Sequence, residues 1–258
     1  MKNTSWCIRH TSAGNCRYQF SAFSKTSAGS YSDPWYPSHS LQYWNSGRKP
    51  FVIHNLKWII LFGCLIGFLA LAEDVFRQEI MNGDIIGYQI ISKFLISDFA
   101  TPIAKVITNF GGAFVLLALT VLLFIFIKDK KVGMSIAVNL GLITGLNLLL
   151  KQIVQRPRPI EYRIIDEVGY SFPSGHSMVS MAFYGFIIYL IYRYVTNKHL
   201  KWSAIAVLSI LIIAIGVSRI YLGVHYTSDV LAGFLISISY LIIYVSAVDK
   251  FVLKEETK

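Results

Sequence analysis

The sequence predicts an all-α integral membrane protein, a bundle of six transmembrane helices with an interfacial amphipathic helical segment between the first and second spans. Two observations carry this. Hydrophobic residues make up 54% of the 258-residue chain and charged residues only 15%, whereas a soluble domain needs about 25% charged residues to cover its surface. From residue 56 onward, apolar runs of about 20 residues, the length that crosses a bilayer core, recur between short polar loops.

Residues 1–50 are of a different kind. They are rich in Ser, Tyr, Asn and Gly and contain no apolar run, so they are expected to form a polar flexible tail, with residues 51–258 as the membrane domain. No signal-peptide core follows Met1. His10, His39 and His54 match no metal-ligand spacing and are expected to be solvated. Cys7, Cys16 and Cys64 form no CxxC pair and are expected to be free thiols.

The spans are predicted at roughly 56–73, 112–128, 132–151, 175–195, 201–218 and 226–247. Residues 77–110 mix Ile and Phe with Asp84, Lys93 and Asp98, and are too polar for a comfortable span. They are expected to lie at the headgroup level, with a seventh span as the alternative.

The net charge of +10 lacks the basic stripe of a nucleic-acid binder. Lys and Arg sit instead in short loops, where they suit anionic lipid and fix orientation. The loop Lys128–Lys131, the connection Arg193–Lys201 and the tail with Lys250, Lys254 and Lys258 fall on one side, expected to be cytoplasmic with both termini. The basic stretch Lys151–Arg163 falls on the outer side, against that rule. An anion-binding role accounts for it.

Three motifs meet on that outer face. Lys151 and Arg158, the latter between Pro157 and Pro159, offer a point charge and a planar fork to phosphate oxygens. The alternative is snorkelling at a helix end. Pro173-Ser174-Gly175-His176 opens the fourth span, where unpaired N–H groups and the helix dipole favour an anion and His176 is placed to donate a proton. A simple turn and cap is the alternative there. Arg219 closes the fifth span, and His225 and Asp229 open the sixth. Four residues apart on a helix, the carboxylate fixes the imidazole tautomer and frees the other nitrogen to attack. The plainer alternative is a His–Asp capping pair. Two spans separate His176 from His225 and return the chain to the same face.

The patterns K-x6-R-P (Lys151–Pro159), PSGH (Pro173–His176) and S-R-x5-H-x3-D (Ser218–Asp229) resemble the signature of the type 2 phosphatidic acid phosphatase family, which shares a superfamily with the vanadium haloperoxidases. The resemblance covers about residues 56–258. It implies that Lys151, Arg158 and Arg219 neutralise phosphate oxygens and that Ser174 and the Gly175 N–H add hydrogen bonds. It further implies that His225 attacks phosphorus to form a phosphohistidine, His176 protonates the leaving group and Asp229 holds His225. Neither metal nor cofactor is implied. The expected partners are a phosphorylated membrane lipid and an anionic bilayer. Similar bacterial members act on phosphatidylglycerophosphate, phosphatidate or undecaprenyl diphosphate. A vanadate-dependent peroxidase and a non-enzymatic lipid-phosphate binder or transporter are the competing classes.

Overall fold

The computed structural model describes residues 51–77, 82–161 and 163–253. The predicted polar tail 1–50, with Cys7, Cys16, His10 and His39, lies outside the described residues. So do the side chain of His54 and the basic ends Lys254 and Lys258. Among the described residues there are eight helices and no strand: α1 (Phe51–Phe76), α2 (Asn82–Leu95), α3 (Ala100–Asn109), α4 (Ala113–Phe126), α5 (Lys130–Val154), α6 (Gly175–Tyr194), α7 (Lys198–Tyr221) and α8 (Thr227–Phe251).

Helices α1 (from Leu56), α5, α6, α7 and α8 are long and apolar enough to cross a membrane, and α3 with α4 make a sixth if counted as one bent span. Their outward faces are apolar, as a lipid solvent requires. Ile59, Phe62, Ile66 and Leu69 on α1 and Val207, Ile210 and Ile213 on α7 are all exposed at helical spacing.

The segment 77–110 departs from a single amphipathic element. It forms two helices, α2 and α3, and the second joins α4 at a bend of 49°. The predicted straight run 112–128 is therefore replaced by a bent helix pair, of which α4 covers only 113–126. The break has a local cause. The N–H groups of Phe110, Gly111 and Gly112 bond back to the carbonyls of Ile107, Thr108 and Asn109, a tighter winding, and Gly112 is extended (φ −77°, ψ 150°). Bulk is excluded at this bend. A Cβ on Gly111 would lie 2.7 Å from Ile215 Cγ2 and 3.3 Å from His176 Cδ2.

Helix α6 is central and packs against α5, α7 and α8, while α1 lies on α8. Phe183, Phe186, Ile215, Leu116 and Ile136 fill the middle. Polar links join the helices across it. Asn139 Nδ2 donates to the Ala182 carbonyl (3.0 Å), Ser237 Oγ to Met178 (2.8 Å) and Tyr244 OH to Ser135 (2.5 Å). Each such bond contributes about 0.6 kcal/mol in a bilayer, so close packing does the rest. Gly233 is the critical small residue. A Cβ there would meet backbone, Ser174 O at 3.1 Å and Met178 N at 3.2 Å. Its absence lets the start of α8 lie against the start of α6.

Candidate active site

Helix α5 carries Lys151 in its last turn and stops at Gln155, which adopts the left-handed conformation (φ 52°). The prolines at 157 and 159 prevent the helix from resuming. The following loop is pinned at both ends. Ser171 N–H donates to the Arg156 carbonyl (2.8 Å), and Ile164 N–H to that of Leu222 (3.0 Å). Within it Arg158 Nε donates to the Gly169 carbonyl (2.9 Å), where φ of +81° suits glycine. Ser174 then caps α6, accepting from Ser177 N–H (3.5 Å) and Ser177 Oγ (2.9 Å). Gly175 follows as the first helical residue, where N–H groups have no acceptor within the helix.

Between α7 and α8 the chain turns through Gly223 (φ +67°). Asp229 sits in the first turn of α8, and its Oδ2 accepts the Tyr226 N–H (2.9 Å). His225 lies just before the helix. The His225–Asp229 contact therefore arises from the cap and not from a shared helix face. The capping and orienting roles predicted as alternatives coexist in one carboxylate.

Both residues are buried, His225 at 3% exposure and Asp229 at 0%. His225 Nδ1 lies 3.2 Å from Ser171 Oγ and 3.4 Å from Asp229 Oδ2, and the Ser171 hydroxyl itself donates to that same Oδ2. On the other side of the ring, Nε2 is 3.1 Å from Arg158 Nη1. A guanidinium only donates, so Nε2 must be the unprotonated nitrogen and Nδ1 must carry the hydrogen. That is the tautomer a nucleophilic Nε2 requires. Burial pushes the imidazole pKa down to about 4, further lowered by Arg158 and Arg219 and partly offset by Asp229. The neutral form therefore dominates at ordinary pH.

Arg219 is 1% exposed. Its Nη1 donates to Thr108 Oγ1 (2.8 Å) and its Nη2 to Glu167 Oε1 (2.5 Å), leaving the buried Nε without an acceptor. The second Glu167 oxygen lies 3.8 Å from Arg158 Nη2. Burial alone would raise the Glu167 carboxyl, but Arg219, His176 and Arg158 outweigh it and hold the group below the usual range. Lys151 Nζ donates to the Tyr170 carbonyl. His176, in the first turn of α6, lies within electrostatic reach of Arg219, Glu167, His225 and Arg158.

A cavity of about 380 Å³ opens beside this group. Its walls are Asp84, Ile85, Tyr88 and Gln89 of α2, the stretch from Pro157 to Glu161, and the turn holding His225. Of the predicted residues, Arg158 and His225 border it. Lys151, His176 and Arg219 lie off its wall, with the Glu167 carboxylate joining Arg219 to Arg158.

All eight predicted residues thus gather where α5, α6, α7 and α8 begin or end on one side of the bundle. Four further residues belong to the same network: Asp84, Arg156, Glu167 and Ser171. Arg156 was visible as the first arginine of the Arg-Pro-Arg-Pro run, and Asp84 as one of the charged residues that mark 77–110 as too polar for a span. Glu167 and Ser171 carry no distinguishing spacing. Among the described residues no group of three or more His, Cys, Asp or Glu side chains is arranged to hold a metal ion.

A helical membrane bundle with an oriented His–Asp pair, a second histidine and a group of buried cations is, as a class, a membrane phosphatase. The PAP2 superfamily model matches residues 132–252. The chain is 31% identical to phosphatidylglycerophosphatase B of Bacillus subtilis over 175 residues, 65% of this chain and 84% of that one. It is 26% identical to an undecaprenyl-diphosphatase of Sulfolobus acidocaldarius over 149 residues, 55% of this chain and 68% of that one. Its fold matches the crystal structure of a transmembrane PAP2-type phosphatidylglycerolphosphate phosphatase from Bacillus subtilis with a TM-score of 0.65 at 27% identity, covering 74% of this chain and 96% of that one. The chain belongs to the PAP2 superfamily.

Proposed function

We propose that the chain removes phosphate from a phosphorylated membrane lipid through a phosphohistidine on His225, without a metal ion. The observation that carries this is the His225 ring itself. Its Nδ1 hydrogen is directed to Asp229 and its Nε2 lone pair toward Arg158, at the edge of a cavity walled by the amphipathic α2.

In the first step the Nε2 lone pair forms a bond to phosphorus, and the bond from phosphorus to the leaving oxygen breaks. His176 gives that oxygen a proton. Asp229 and Ser171 retain the Nδ1 hydrogen and stabilise the positive charge that the ring acquires. In the second step water attacks phosphorus, the P–N bond breaks and His176 takes the water proton. Arg158, Arg219 and Lys151 meet the charge on the phosphoryl oxygens, the role that dominates catalysis in a water-poor site. The Gly175 N–H adds a donor at the α6 terminus. Ser174 caps that terminus by accepting from Ser177, which leaves its own hydroxyl hydrogen free to donate to a phosphoryl oxygen. Seating a phosphate requires Arg158 to leave His225 Nε2, and Glu167 competes with the phosphate for Arg219, whose Nε has no acceptor.

Phosphatidylglycerophosphate, phosphatidate and undecaprenyl diphosphate are the candidate substrates. Two of these classes correspond to the names of the relatives. The phosphatase identity of those relatives favours hydrolysis over peroxidase chemistry or mere lipid binding. The site is assigned to the outer membrane face with both termini cytoplasmic, following the lysines of the opposite loops. The test is phosphate release by purified protein in detergent on the three lipids. Turnover of at least one, abolished in His225→Ala, supports the reading. Retained activity in that variant would overturn it.

A further inference from the structure

Arg156 fills one of the unspecified positions of the K-x6-R-P pattern and touches no reacting atom of the proposed chemistry. It is nevertheless buried, at 7% side-chain exposure. Its Nη1 donates to Asp229 Oδ1 and to Ser228 Oγ, both at 2.7 Å, and its Nη2 donates to Asp84 Oδ2 at 2.8 Å. Its guanidinium also lies 4.0 Å from the centre of the Tyr226 ring. Asp84 comes from the first turn of α2, is 1% exposed, and accepts from the Ser228 N–H (2.8 Å) and Oγ (3.0 Å). One turn along, a Cβ on Gly87 would lie 2.2 Å from Thr227 Oγ1, so α2 rests directly on the start of α8.

The two oxygens of Asp229 are thereby divided. Oδ2 serves His225, Ser171 and the Tyr226 N–H, while Oδ1 serves Arg156. Docking α2 alone would need one carboxylate and one cation. Here two carboxylates share one guanidinium, an expensive arrangement to bury unless the unbalanced charge has a use. With His225 neutral the cluster carries one net negative charge. Without Asp84, Arg156 would match Asp229 one to one. The ring charge created as the N–P bond forms would then lack a counter-charge.

We infer that Asp84 and Arg156 are positioning residues for phosphoryl transfer: Arg156 orients Asp229 through its second oxygen, and Asp84 shares Arg156 so that Asp229 keeps negative charge for His225. This rests on His225 and Asp229 being the reacting pair. Because Asp84 belongs to the helix that walls the cavity, the seating of α2 and the competence of His225 are linked.

The test compares wild type with Asp84→Asn, an isosteric change, in phosphate release in detergent across pH, on the candidate lipid that the wild type turns over fastest. His225 is faced by Asp229 on α8, Arg158 in the loop, Arg219 on α7 and His176 on α6, and Lys151 on α5 acts on Asp229. All of these are unaltered in the variant. The kcat is expected to fall about 10-fold at little-changed KM. The acidic limb of the kcat/KM profile is expected to move to lower pH by roughly half a unit, since removing negative charge disfavours the imidazolium. Asp84→Glu, which keeps the charge, should return the limb toward its original place. A loosened helix alone would raise KM and leave the limb where it was. That result, or wild-type kinetics, overturns the proposal. If Asp84→Asn yields no folded protein by size-exclusion chromatography, Arg156→Lys decides, because a lysine keeps the charge but cannot bridge both carboxylates. Lost kcat at unchanged KM supports the relay, and wild-type kcat overturns it. His225→Ala is assayed in parallel. Turnover within about tenfold of wild type there defeats the reading of the site, whereas a His225→Ala reduced about 10³-fold beside an unaltered Asp84→Asn defeats only the relay.

Discussion

His225 is the side chain on which the proposed chemistry converges, and its surroundings make measurable demands. Truncation to Ala should reduce phosphate release by about 10³-fold or more, because the covalent route is lost while binding remains. The pH dependence has a definite sign. The ring acts only when neutral, and its pKa is pushed down to about 4. The acidic limb of kcat/KM should therefore rise through about pH 4 in the free enzyme and lie well below the ordinary histidine value. A limb near 6.5 would contradict the burial described here. Glu167 makes a second demand, since its carboxylate holds Arg219 at 2.5 Å where a phosphoryl oxygen is needed. Glu167→Gln should tighten inhibition by inorganic phosphate or vanadate about 10-fold, because a neutral amide competes less well for the guanidinium. An unchanged inhibition constant would place Glu167 outside the phosphate seat. Neither expectation follows from the motifs. Those name His225 and Arg219, whereas the loop that brings Glu167 between two arginines is set by Gly169, Ser171 and Ile164.

The helices contribute through where they stop. Helix α5 ends at a left-handed Gln155, α6 begins at the Ser174 cap, and α8 begins with Asp229 accepting the Tyr226 N–H. Each terminus delivers one part of the site, and Gly233 allows two of them to touch. Gly233→Ala would press a methyl group on the backbone at Ser174 and Met178, which cannot yield as a side chain does. The expected cost is about 1–3 kcal/mol. It should be read as a lower melting temperature in detergent, with kcat reduced more than KM as His225 is drawn from His176. These termini were largely legible in the sequence, because Pro, Gly, Ser and Asp mark helix ends by local chemistry. The broken second span was not. The bend at Gly111–Gly112 is wound by local bonds, but the close approach of Ile215 and His176, residues distant in sequence, is what admits only glycine at 111.

The bundle places the basic loop Lys128–Lys131 and the site at opposite ends of α5, since Lys130 opens that helix and Lys151 lies in its last turn. In cells, a cysteine replacing Glu161 on a background free of Cys7, Cys16 and Cys64 should react with an impermeant maleimide without permeabilisation. One replacing Lys130 should react only after it. The reverse pattern would invert the proposed orientation. At the Lys130 side the structure is clasped by Arg193, which bonds Asp249 Oδ1 (2.8 Å) and the Leu253 carbonyl (3.0 Å). Opening that end should lower stability more than activity.

By itself the sequence determined the membrane class, five of the six spans nearly to their ends, and eight residues that gather at one end of the bundle. Hydropathy and helix-end chemistry are local properties, and the motifs carry their spacing within single segments. Tertiary structure alone decided the division of the two Asp229 oxygens between His225 and Arg156. It also decided that Asp84 reaches Ser228, beside Asp229, across 144 positions and that Glu167 sits among the cations. The physical reason is burial. In a low-dielectric interior every charge must find a partner, and which partners are within reach is settled only when the helices pack.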